Sequence, residues 1–297
     1  MSDIQIIGCG YIGKKVANLL LKKNINPLCL VHTEQSVSKC NDLGLKVKQF
    51  ELDQKGLGLS ENDQHKLVKG NIAYFSPPPP KGKVDTRMEH FLEVLKSAPA
   101  KPGKILLIST TGVYGDCSGE WIDETRPLNP MADRAYRRAN AEEQLKRYCE
   151  KNNIEYVIFR VPGIYAADKL PIKRITSGEP IVNAADSGYT NRIHAEDLSR
   201  FCVEALMSDT PSGVYNCCDG HPSTMNDYFM RVADAFGIER PREISLMQAQ
   251  QELSKGMLSY LAESKRISNK KLTTHFKTLF VYSNLQAGLK NIGENCE

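Results

Sequence analysis

Several features that would identify other classes of protein are missing from this sequence of 297 residues. Its nine cysteines include no Cys-x-x-Cys pair and its six histidines include no pair four residues apart, so we expect neither a metal site nor a disulfide framework. No apolar run approaches the roughly 20 residues that a membrane-spanning helix needs. The 39 basic and 35 acidic residues leave a formal charge of only +4, and no basic block indicates a nucleic-acid surface.

The N-terminal residues also lack the basic and then apolar pattern of a secretory signal. We therefore expect a cytoplasmic protein with free, mostly buried thiols, whose partner is a small molecule rather than a nucleic acid or a membrane. The length allows one large core, or a main domain joined to a smaller one.

A glycine-rich turn, Gly8-Cys9-Gly10-Tyr11-Ile12-Gly13, stands between the first apolar strand pattern and a helical pattern over residues 14–23. In such turns the first glycine permits a tight bend, the second lets a pyrophosphate approach the backbone, and the third lets the helix pack close to the strand. The helix N-terminus then offers free N–H groups to the phosphates. We predict a dinucleotide site here that uses Gly8, Gly10, Tyr11, Ile12 and Gly13. The alternative is an ordinary strand-to-helix turn of another α/β protein.

The end of the second predicted strand, residues 27–31, bears on which dinucleotide binds. An NAD site usually places an acidic residue there for the ribose hydroxyls, and an NADP site avoids one because of its extra phosphate. This chain has His32-Thr33 at that place. The pattern therefore favours NADP, with NAD as the alternative, unless His32 and Thr33 simply cap the following helix.

Two later strand patterns, over residues 45–50 and 71–76, add candidate cofactor residues. Asp53 follows the first and is a plausible contact for the adenine end, although a lone Asp after a strand is more often a turn residue. The second ends at Ser76 and runs into the four prolines 77–80. These prolines could form a polyproline ligand for a partner domain. Because ligands bind at the carboxyl ends of such strands, we favour a stiff wall of the cofactor cleft that includes Ser76 and Pro77.

Further strand patterns over residues 104–108, 154–160 and 213–217 alternate with helical patterns over residues 85–97 and 132–152. This alternation predicts an α/β protein with a Rossmann-type, doubly wound parallel sheet. We expect a dinucleotide-binding domain over residues 1–165, completed by the strand near 213–217. Residues 166–297 would form a smaller α/β substrate-binding part with helices over 224–237 and 246–261.

The chain resembles the extended and atypical short-chain dehydrogenase/reductases, that is, the NAD(P)-dependent epimerase/dehydratase family. The resemblance covers nearly the whole length and rests on several motifs in family order. These are the glycine turn, Ser109-Thr110-Thr111-Gly112-Val113-Tyr114-Gly115 with Glu124 and Pro130 behind it, Arg160-Val161-Pro162-Gly163-Ile164-Tyr165, Arg192-Ile193-His194-Ala195-Glu196-Asp197-Leu198, Val214-Tyr215-Asn216 with Asp219, and Ser264-Lys265-Arg266-Ile267-Ser268-Asn269.

The resemblance implies roles for residues of these motifs. Thr110, with Thr111 as its alternative, would hold a substrate oxygen, and Tyr136 would act as acid or base. Pro162, Gly163 and Ile164 would lie against the nicotinamide, and Asn191, Arg192 and His194 would lie beside the substrate. In the nucleotide-sugar epimerases the phosphate-binding Arg stands four residues before the His, where this chain has Thr190, which disfavours a nucleotide sugar. For His194 a buried structural role is the alternative.

One family residue is replaced. The Lys that follows the Tyr by four residues in the family is Asn140 here, which can bond a ribose hydroxyl but brings no charge. An unperturbed Tyr has a pKa of about 10, so without a neighbouring cation Tyr136 is suited to donate a proton and poorly suited to accept one. Arg137 and Arg138 are poor substitutes because they lie on other faces of the helix, where we expect solvent.

Two main hypotheses follow. The first is an NADP(H)-dependent oxidoreductase that transfers hydride to or from a small sugar-like or carbonyl substrate. The second is an NADP(H)-binding sensor without turnover, suggested by the missing Lys. A scaffold protein that uses its proline run is a weaker third. By analogy with the family, a homodimer would pair the helix over residues 85–97 and the helix that carries Tyr136.

Overall fold

The protein is described as a computed structural model over residues 3–67 and 70–294. One parallel sheet contains seven strands in the spatial order β7-β6-β5-β4-β1-β2-β3. This order confirms the predicted doubly wound α/β fold. The strands are β1 (Ile4–Ile7), β2 (Leu28–Val31), β3 (Lys46–Gln49), β4 (Asn71–Tyr74), β5 (Lys104–Thr110), β6 (Glu155–Val161) and β7 (Gly213–Asn216).

The described residues form twelve α-helices. The helix predicted over residues 246–261 is divided, because Ser254 accepts a hydrogen bond from the Met257 N–H and begins a new helix there. The helices are α1 (Tyr11–Leu21), α2 (Glu34–Asn41), α3 (Glu61–Leu67), α4 (Thr86–Ser97), α5 (Asp133–Asn152), α6 (Ile172–Thr176), α7 (Ala195–Met207), α8 (Met225–Ala235), α9 (Leu246–Glu252), α10 (Lys255–Leu261), α11 (Lys270–His275) and α12 (Leu285–Glu294), with 3₁₀ turns at Lys55–Gly58, Thr111–Tyr114 and Ala167–Lys169.

Helices cover both faces of the sheet, which is why its inner strands are mostly apolar and buried. All four residues of β1 are buried. On one face α1 and α7 pack together over the sheet, with Val16 and Phe201 fully buried. On the other face α4 and α5 bury Phe91 and Leu145. Two apolar layers therefore hold the sheet and its covering helices together.

The strand order reverses between β1 and β4. At such a switch point the loops that leave the two strands diverge and open a crevice at the carboxyl edge of the sheet. The loop after β1 is the glycine turn, and the loop after β4 is the proline run.

Some residues after 166 add to the seven-stranded sheet and its helices, and the others form a smaller substructure. Strand β7 pairs in parallel with β6, as expected, and α7 lies against α1. The smaller part has its own core, which includes Phe229 and Val232 of α8. Four short ladders accompany it: Gly163–Tyr165 with Arg192–His194, Ile181–Val182 with Glu243–Ile244, Tyr189–Thr190 with Ser223–Thr224, and Trp121–Ile122 with Arg266–Ile267.

No helix within residues 3–67 and 70–294 has the length and apolar character to cross a membrane. The same residues hold no group of three His, Cys, Asp or Glu side chains arranged to bind a metal ion.

Candidate active site

The three glycines of the turn are required for three different reasons. Gly8 has φ +86°, and a Cβ there would lie 2.5 Å from Ser76 Oγ and 2.6 Å from Ser76 N. A Cβ on Gly13 would lie 3.1 Å from the Gly8 carbonyl oxygen and 3.2 Å from Ile6 Cγ2, so this glycine permits the close packing of α1 on β1. A Cβ on Gly10 would meet nothing nearer than 4.0 Å, so the space beside Gly10 is open, as a pyrophosphate would need.

The N-terminus of α1 is free to bind an anion. Gly10 is its N-cap and supplies no side-chain hydrogen bond, and its first turn contains no acidic residue. The N–H groups of that turn therefore point out of the helix without a capping partner. The Tyr11 hydroxyl donates to Asp168 Oδ1 at 2.6 Å, which links the turn to the part of the chain after residue 166, whereas Ile12 is buried.

At the end of β2 the structure shows a helix cap and an ion pair. Thr33 Oγ1 accepts the Ser36 N–H at 3.2 Å and begins α2. His32 is 64% exposed, and its Nδ1 lies 3.1 Å from Glu51 Oε2. Glu51 follows β3, so an acidic group does stand beside the end of β2, although the sequence of β2 does not show it.

Asp53 is held by an arginine. Both of its carboxylate oxygens accept from Arg87, at 2.7 Å from Nε and 2.6 Å from Nη2, and this pair lowers the Asp53 pKa. Arg87 Nη1 also donates to the Pro77 carbonyl oxygen at 3.2 Å. The Asp53 side chain is thus linked through Arg87 to the proline loop, and its contact with the adenine end stays a prediction.

A cavity of about 600 Å³ lies at the carboxyl ends of β5 and β6; we call it the sheet-edge cavity. It is lined by Pro78, by Thr110 and Thr111, by the backbone segment 162–164, and by Asn191 and Arg192. The structure therefore brings together most of the predicted nicotinamide and substrate residues. Pro78 forms part of its wall, as expected for the proline run.

Thr110 and Thr111 both present their side chains beside the sheet-edge cavity. Thr110 ends β5, and its Oγ1 accepts the Gly112 N–H at 3.2 Å, which leaves its hydroxyl hydrogen free to be donated. Thr111 is buried at the start of the following 3₁₀ turn and also lines the cavity.

Tyr136 and Asn140 do not line the sheet-edge cavity. Tyr136 is 37% exposed, with Lys83 Nζ 4.5 Å from the centroid of its ring. Asn140 Oδ1 accepts from the Asp85 N–H at 2.9 Å and from Gln144 Nε2 at 2.6 Å. These two side chains lie outside the cavity because the face of α5 that carries the buried Ala135 and Leu145 faces inward. Residue 136 is turned about 100° from Ala135 and about 180° from Leu145. Contact of Tyr136 and Asn140 with the cofactor stays a prediction.

The residues of α5 that do line the cavity are Arg134 and Arg138, which are four residues apart and share a helix face. Arg138 Nη2 donates to the Ser76 carbonyl oxygen at 2.7 Å, and its buried Nη1 has no hydrogen-bond partner. Burial lowers the Arg138 pKa.

Arg137 is buried too and donates to the Gly82 carbonyl oxygen. The expectation that Arg137 and Arg138 face solvent is therefore wrong for both. The helical phase of Ala135, Ala141 and Leu145 is the sequence signal that could have identified this face.

The three predicted substrate residues after β6 have different surroundings. Asn191 donates to the Lys265 carbonyl oxygen at 3.0 Å and accepts the Ile267 N–H at 2.9 Å, so it positions the strand opposite. Arg192 lines the cavity, whereas His194 does not. His194 Nδ1 accepts the Glu196 N–H at 3.3 Å and caps α7. Its ring stacks on Tyr282 with centroids 3.7 Å apart, and burial lowers its pKa, which supports the structural alternative.

A doubly wound sheet with a glycine turn at its switch point and a cavity beside it is typical of dinucleotide-binding α/β proteins. Residues 80–218 of this chain match the model of the NAD dependent epimerase/dehydratase family. The match confirms the resemblance that the sequence motifs indicate.

Known proteins share this fold over nearly the whole chain. A protein of unknown function from Silicibacter pomeroyi has a TM-score of 0.85 at 22% identity, with 99% of both chains covered. UDP-glucose 4-epimerase from Thermus thermophilus, solved with NAD, has a TM-score of 0.73 at 20% identity, with 98% of both chains covered. In sequence, a Methanocaldococcus jannaschii protein described as a candidate UDP-glucose 4-epimerase is 21% identical over 264 residues, which are 80% of this chain and 85% of that protein.

Proposed function

We propose that this chain is a nicotinamide-dinucleotide-dependent oxidoreductase of the epimerase/dehydratase type, acting on a small sugar-like or carbonyl substrate. One observation carries the proposal: the glycine turn and the sheet-edge cavity share a wall. Ser76 packs on Gly8 and accepts from Arg138, and Pro78 lines the cavity. A dinucleotide bound at the turn would thus extend along this wall to the cavity.

The residues present fit such a cofactor. The open space at Gly10 and the uncapped N-terminus of α1 suit a pyrophosphate, and the backbone of residues 162–164 borders the cavity where the nicotinamide would lie. When bound, the nicotinamide supplies or accepts the hydride.

The surroundings of His32 bear on the choice between the two cofactors. A 2′-phosphate placed at the end of β2 would meet the Glu51 carboxylate beside His32, and like charges repel. An NAD ribose would instead find an acceptor for its hydroxyls. The structure therefore favours NAD over the NADP that the β2 sequence suggests. Titration of both reduced cofactors by fluorescence tests this: tighter binding of NADPH, improved further by Glu51→Gln, would favour NADP.

In the proposed reaction Thr110, with Thr111 beside it, holds the substrate oxygen. The Nη1 group of Arg138, which has no hydrogen-bond partner among the described residues, stabilises the negative charge that develops on the substrate in the transition state. Tyr136 can donate a proton to the same oxygen only if its ring leaves Lys83 and enters the cavity.

The experiment is cofactor oxidation and reduction measured against a panel of sugars and carbonyls. Thr110→Val should lower kcat/KM by about 100-fold, because a donor to the reacting oxygen is lost. Thr125→Val, which alters an exposed hydroxyl bonded to Asp123, is the matched control.

Tyr136→Phe should leave kcat/KM nearly unchanged, whereas a large loss would restore Tyr136 as the proton donor. No turnover with any substrate, despite tight cofactor binding, would contradict the oxidoreductase function.

A cofactor-binding sensor without turnover is the second candidate, favoured by the fact that α5 presents two arginines and no tyrosine to the cavity. The double variant Arg134→Tyr with Arg138→Lys places the family pair at the inward positions. Gain of activity by this variant would show that the wild type has lost catalysis. Loss of an existing activity would show that the arginines serve a chemistry of their own.

We further propose a cytoplasmic location and a homodimer that pairs α4 and α5. Cell fractionation and the molar mass in solution are the respective measurements.

A further inference from the structure

Three arginines line the sheet-edge cavity without a carboxylate partner. They are Arg134, Arg138 and Arg192, and no ion pair joins any of them to an acidic side chain within residues 3–67 and 70–294. The contrast with the buried Arg160 is clear, because Glu142 neutralises Arg160 at 2.8 Å. Asp85 acts on Arg138, and Asp219 acts on Arg192, only from beyond ion-pair distance. Guanidinium groups without a direct carboxylate partner are therefore a property of this cavity.

Arg192 is the most enclosed of the three. It is 6% exposed, its Nη1 donates to Thr190 Oγ1 at 2.7 Å, and its guanidinium lies 3.9 Å from the centre of the Tyr228 ring. Burial lowers its pKa. The Asp219 and Asp227 carboxylates oppose this shift from beyond ion-pair distance. A buried charge without a counter-charge in direct contact costs several kcal/mol, so these two acids compensate Arg192 only in part.

Arg138 is a second indication, independent of Arg192, that a ligand binds in this cavity. Its Nη1 is buried without a hydrogen-bond partner while its Nη2 is held by Ser76. An orphaned guanidinium donor in a cavity wall is satisfied when a ligand brings an acceptor. Arg134 is held only by the Ser259 hydroxyl, at 3.0 Å, and by the Tyr260 ring.

The remaining charges of the cavity wall cancel. Lys265 pairs with Glu263, and both residues line the cavity. The three arginines therefore give the cavity a net positive charge. Guanidinium groups match the planar oxygens of a carboxylate and the oxygens of a phosphate by paired N–H donors.

We propose that the sheet-edge cavity binds an oxyanion carried by the substrate, a carboxylate or a phosphate monoester on a sugar-like skeleton, through Arg138, Arg192 and Arg134. This inference rests on the proposed function and names the substrate class of the same cavity. A neutral sugar would leave the three arginines without a direct ion pair, and an acid of this class supplies one.

The test is calorimetric titration of the full chain, saturated with NADH, with gluconate, glucose 6-phosphate, glucose and UDP-glucose. Gluconate or glucose 6-phosphate should bind at least about 10-fold more tightly than glucose, and the stronger of the two distinguishes a carboxylate from a phosphate. Arg138→Gln and Arg192→Gln should each weaken binding of that acid by about 10-fold to 100-fold and leave any glucose binding unchanged.

The matched control is Arg147→Gln, on the same helix but exposed and paired with Glu143, which should not change the affinity. If Arg138→Gln or Arg192→Gln fails to fold, Arg192→Lys keeps the charge and should retain part of the binding, and Arg134→Gln removes a less enclosed guanidinium. Glucose binding as tight as that of the acids, arginine variants without effect, or binding of UDP-glucose alone would overturn the proposal.

The oxidoreductase function and the oxyanion site can be tested independently of each other. NADH binding is followed by its own fluorescence, and turnover by cofactor absorbance. If the acids bind through the arginines but no turnover occurs, the oxidoreductase function fails and the oxyanion site stands. If a neutral sugar turns over, and Arg138→Gln and Arg192→Gln leave the affinity for gluconate and glucose 6-phosphate unchanged, the oxyanion site fails and the oxidoreductase function stands.

Discussion

Gly8 and Gly10 stand two residues apart, and the absence of a side chain has a different cause at each position. Gly8 is constrained by the protein itself, through its φ of +86° and the contact with Ser76. Gly10 faces open space, so the fold alone does not demand the absence of a side chain there. The constraint on Gly10 comes from what binds beside it.

Alanine substitutions should separate these two constraints. Gly8→Ala should destabilise the protein by about 2–4 kcal/mol, because the new Cβ meets backbone atoms and the φ is unfavourable. Gly10→Ala should change the free energy of unfolding by less than about 1 kcal/mol but weaken NADH binding by at least about 10-fold. Urea unfolding and NADH fluorescence measure the two effects. Unchanged NADH affinity in Gly10→Ala would exclude a pyrophosphate beside this residue.

Asp219 is a buried acid behind Arg192. It is 4% exposed; its Oδ1 accepts the His221 N–H at 2.9 Å, and its Oδ2 has no partner. Burial raises its pKa from 3.8 to about 6, and the Asp197 charge adds to this, whereas the His221 N–H, the His221 ring and Arg192 oppose it. Between about pH 4 and 6 the folded state therefore holds a proton that the unfolded chain has released.

Ionisation of Asp219 should lower the free energy of unfolding as the pH rises. Because the folded pKa lies above the unfolded one, the contribution of Asp219 to stability falls from about pH 4 to pH 6 and stays unfavourable above. Asp219→Asn removes the ionisation and keeps an oxygen for the His221 N–H, so it should stabilise the protein at pH 8 by about 2–3 kcal/mol and by about half as much at pH 5. Urea unfolding at the two pH values measures this. An equal effect at both would contradict the assigned cause.

At the scale of elements, a buried polar network sets the position of α5. Glu142 of α5 accepts from Arg160 of β6, Nη2 to Oε2 at 2.8 Å, and from the Ser109 hydroxyl of β5. Arg160 Nη1 also donates to the Tyr114 hydroxyl at 2.9 Å. These bonds hold the helix in the rotation that turns Arg138 toward the cavity and Tyr136 away from it.

Breaking this ion pair should be costly. Glu142→Ala should lower the free energy of unfolding by about 3–5 kcal/mol, because Arg160 remains buried without its counter-charge. Arg160→Met should be destabilising as well, and the double variant should lose clearly less than the sum of the two, as a double-mutant cycle in urea would show.

The neighbouring Glu143→Ala is the control. Its partner Arg147 is exposed, so the change should stay within about 0.5 kcal/mol. Additive effects of Glu142→Ala and Arg160→Met would mean that the pair does not act as a unit.

At the scale of the whole molecule, the surface between α4 and α5 is basic. A groove of about 400 Å³ there is lined by Lys96 of α4, by Lys101, and by Arg147 and Lys151 of α5. The proposed homodimer would bring two copies of this surface together. Like charges across the contact would oppose it unless salt screens them.

The dimer should therefore strengthen with salt. Raising the ionic strength from about 0.05 M to 0.5 M shortens the screening length severalfold and should increase the dimeric fraction in light-scattering measurements at fixed protein concentration. The double variant Lys96→Glu with Lys151→Glu should remove this dependence. A dimer that dissociates as salt increases would place the contact on another surface.

Much of the fold was predictable because it depends on local patterns. The apolar strand runs, the glycine turn and the helices over residues 85–97 and 132–152 lie close to where the structure has them. The sequence did not reveal the break between α9 and α10, because Ser254 acts as a cap only once the chain turns there. Residues 162–164 and Thr110 line the sheet-edge cavity, and their roles toward cofactor and substrate, which the family resemblance implies, stay predictions.

By itself, the sequence determined the alternation of strands and helices, the turn at Gly8 and the family motifs, since each of these depends on neighbouring residues. Tertiary structure alone decided which face of α5 meets the cavity, because burial of Ala135 and Leu145 against the sheet rotates Arg138 inward and Tyr136 outward. It also placed Glu51 beside His32 and Arg192 in the same cavity as Arg138. These residues are distant in the chain, so their meeting depends on the packing of the sheet.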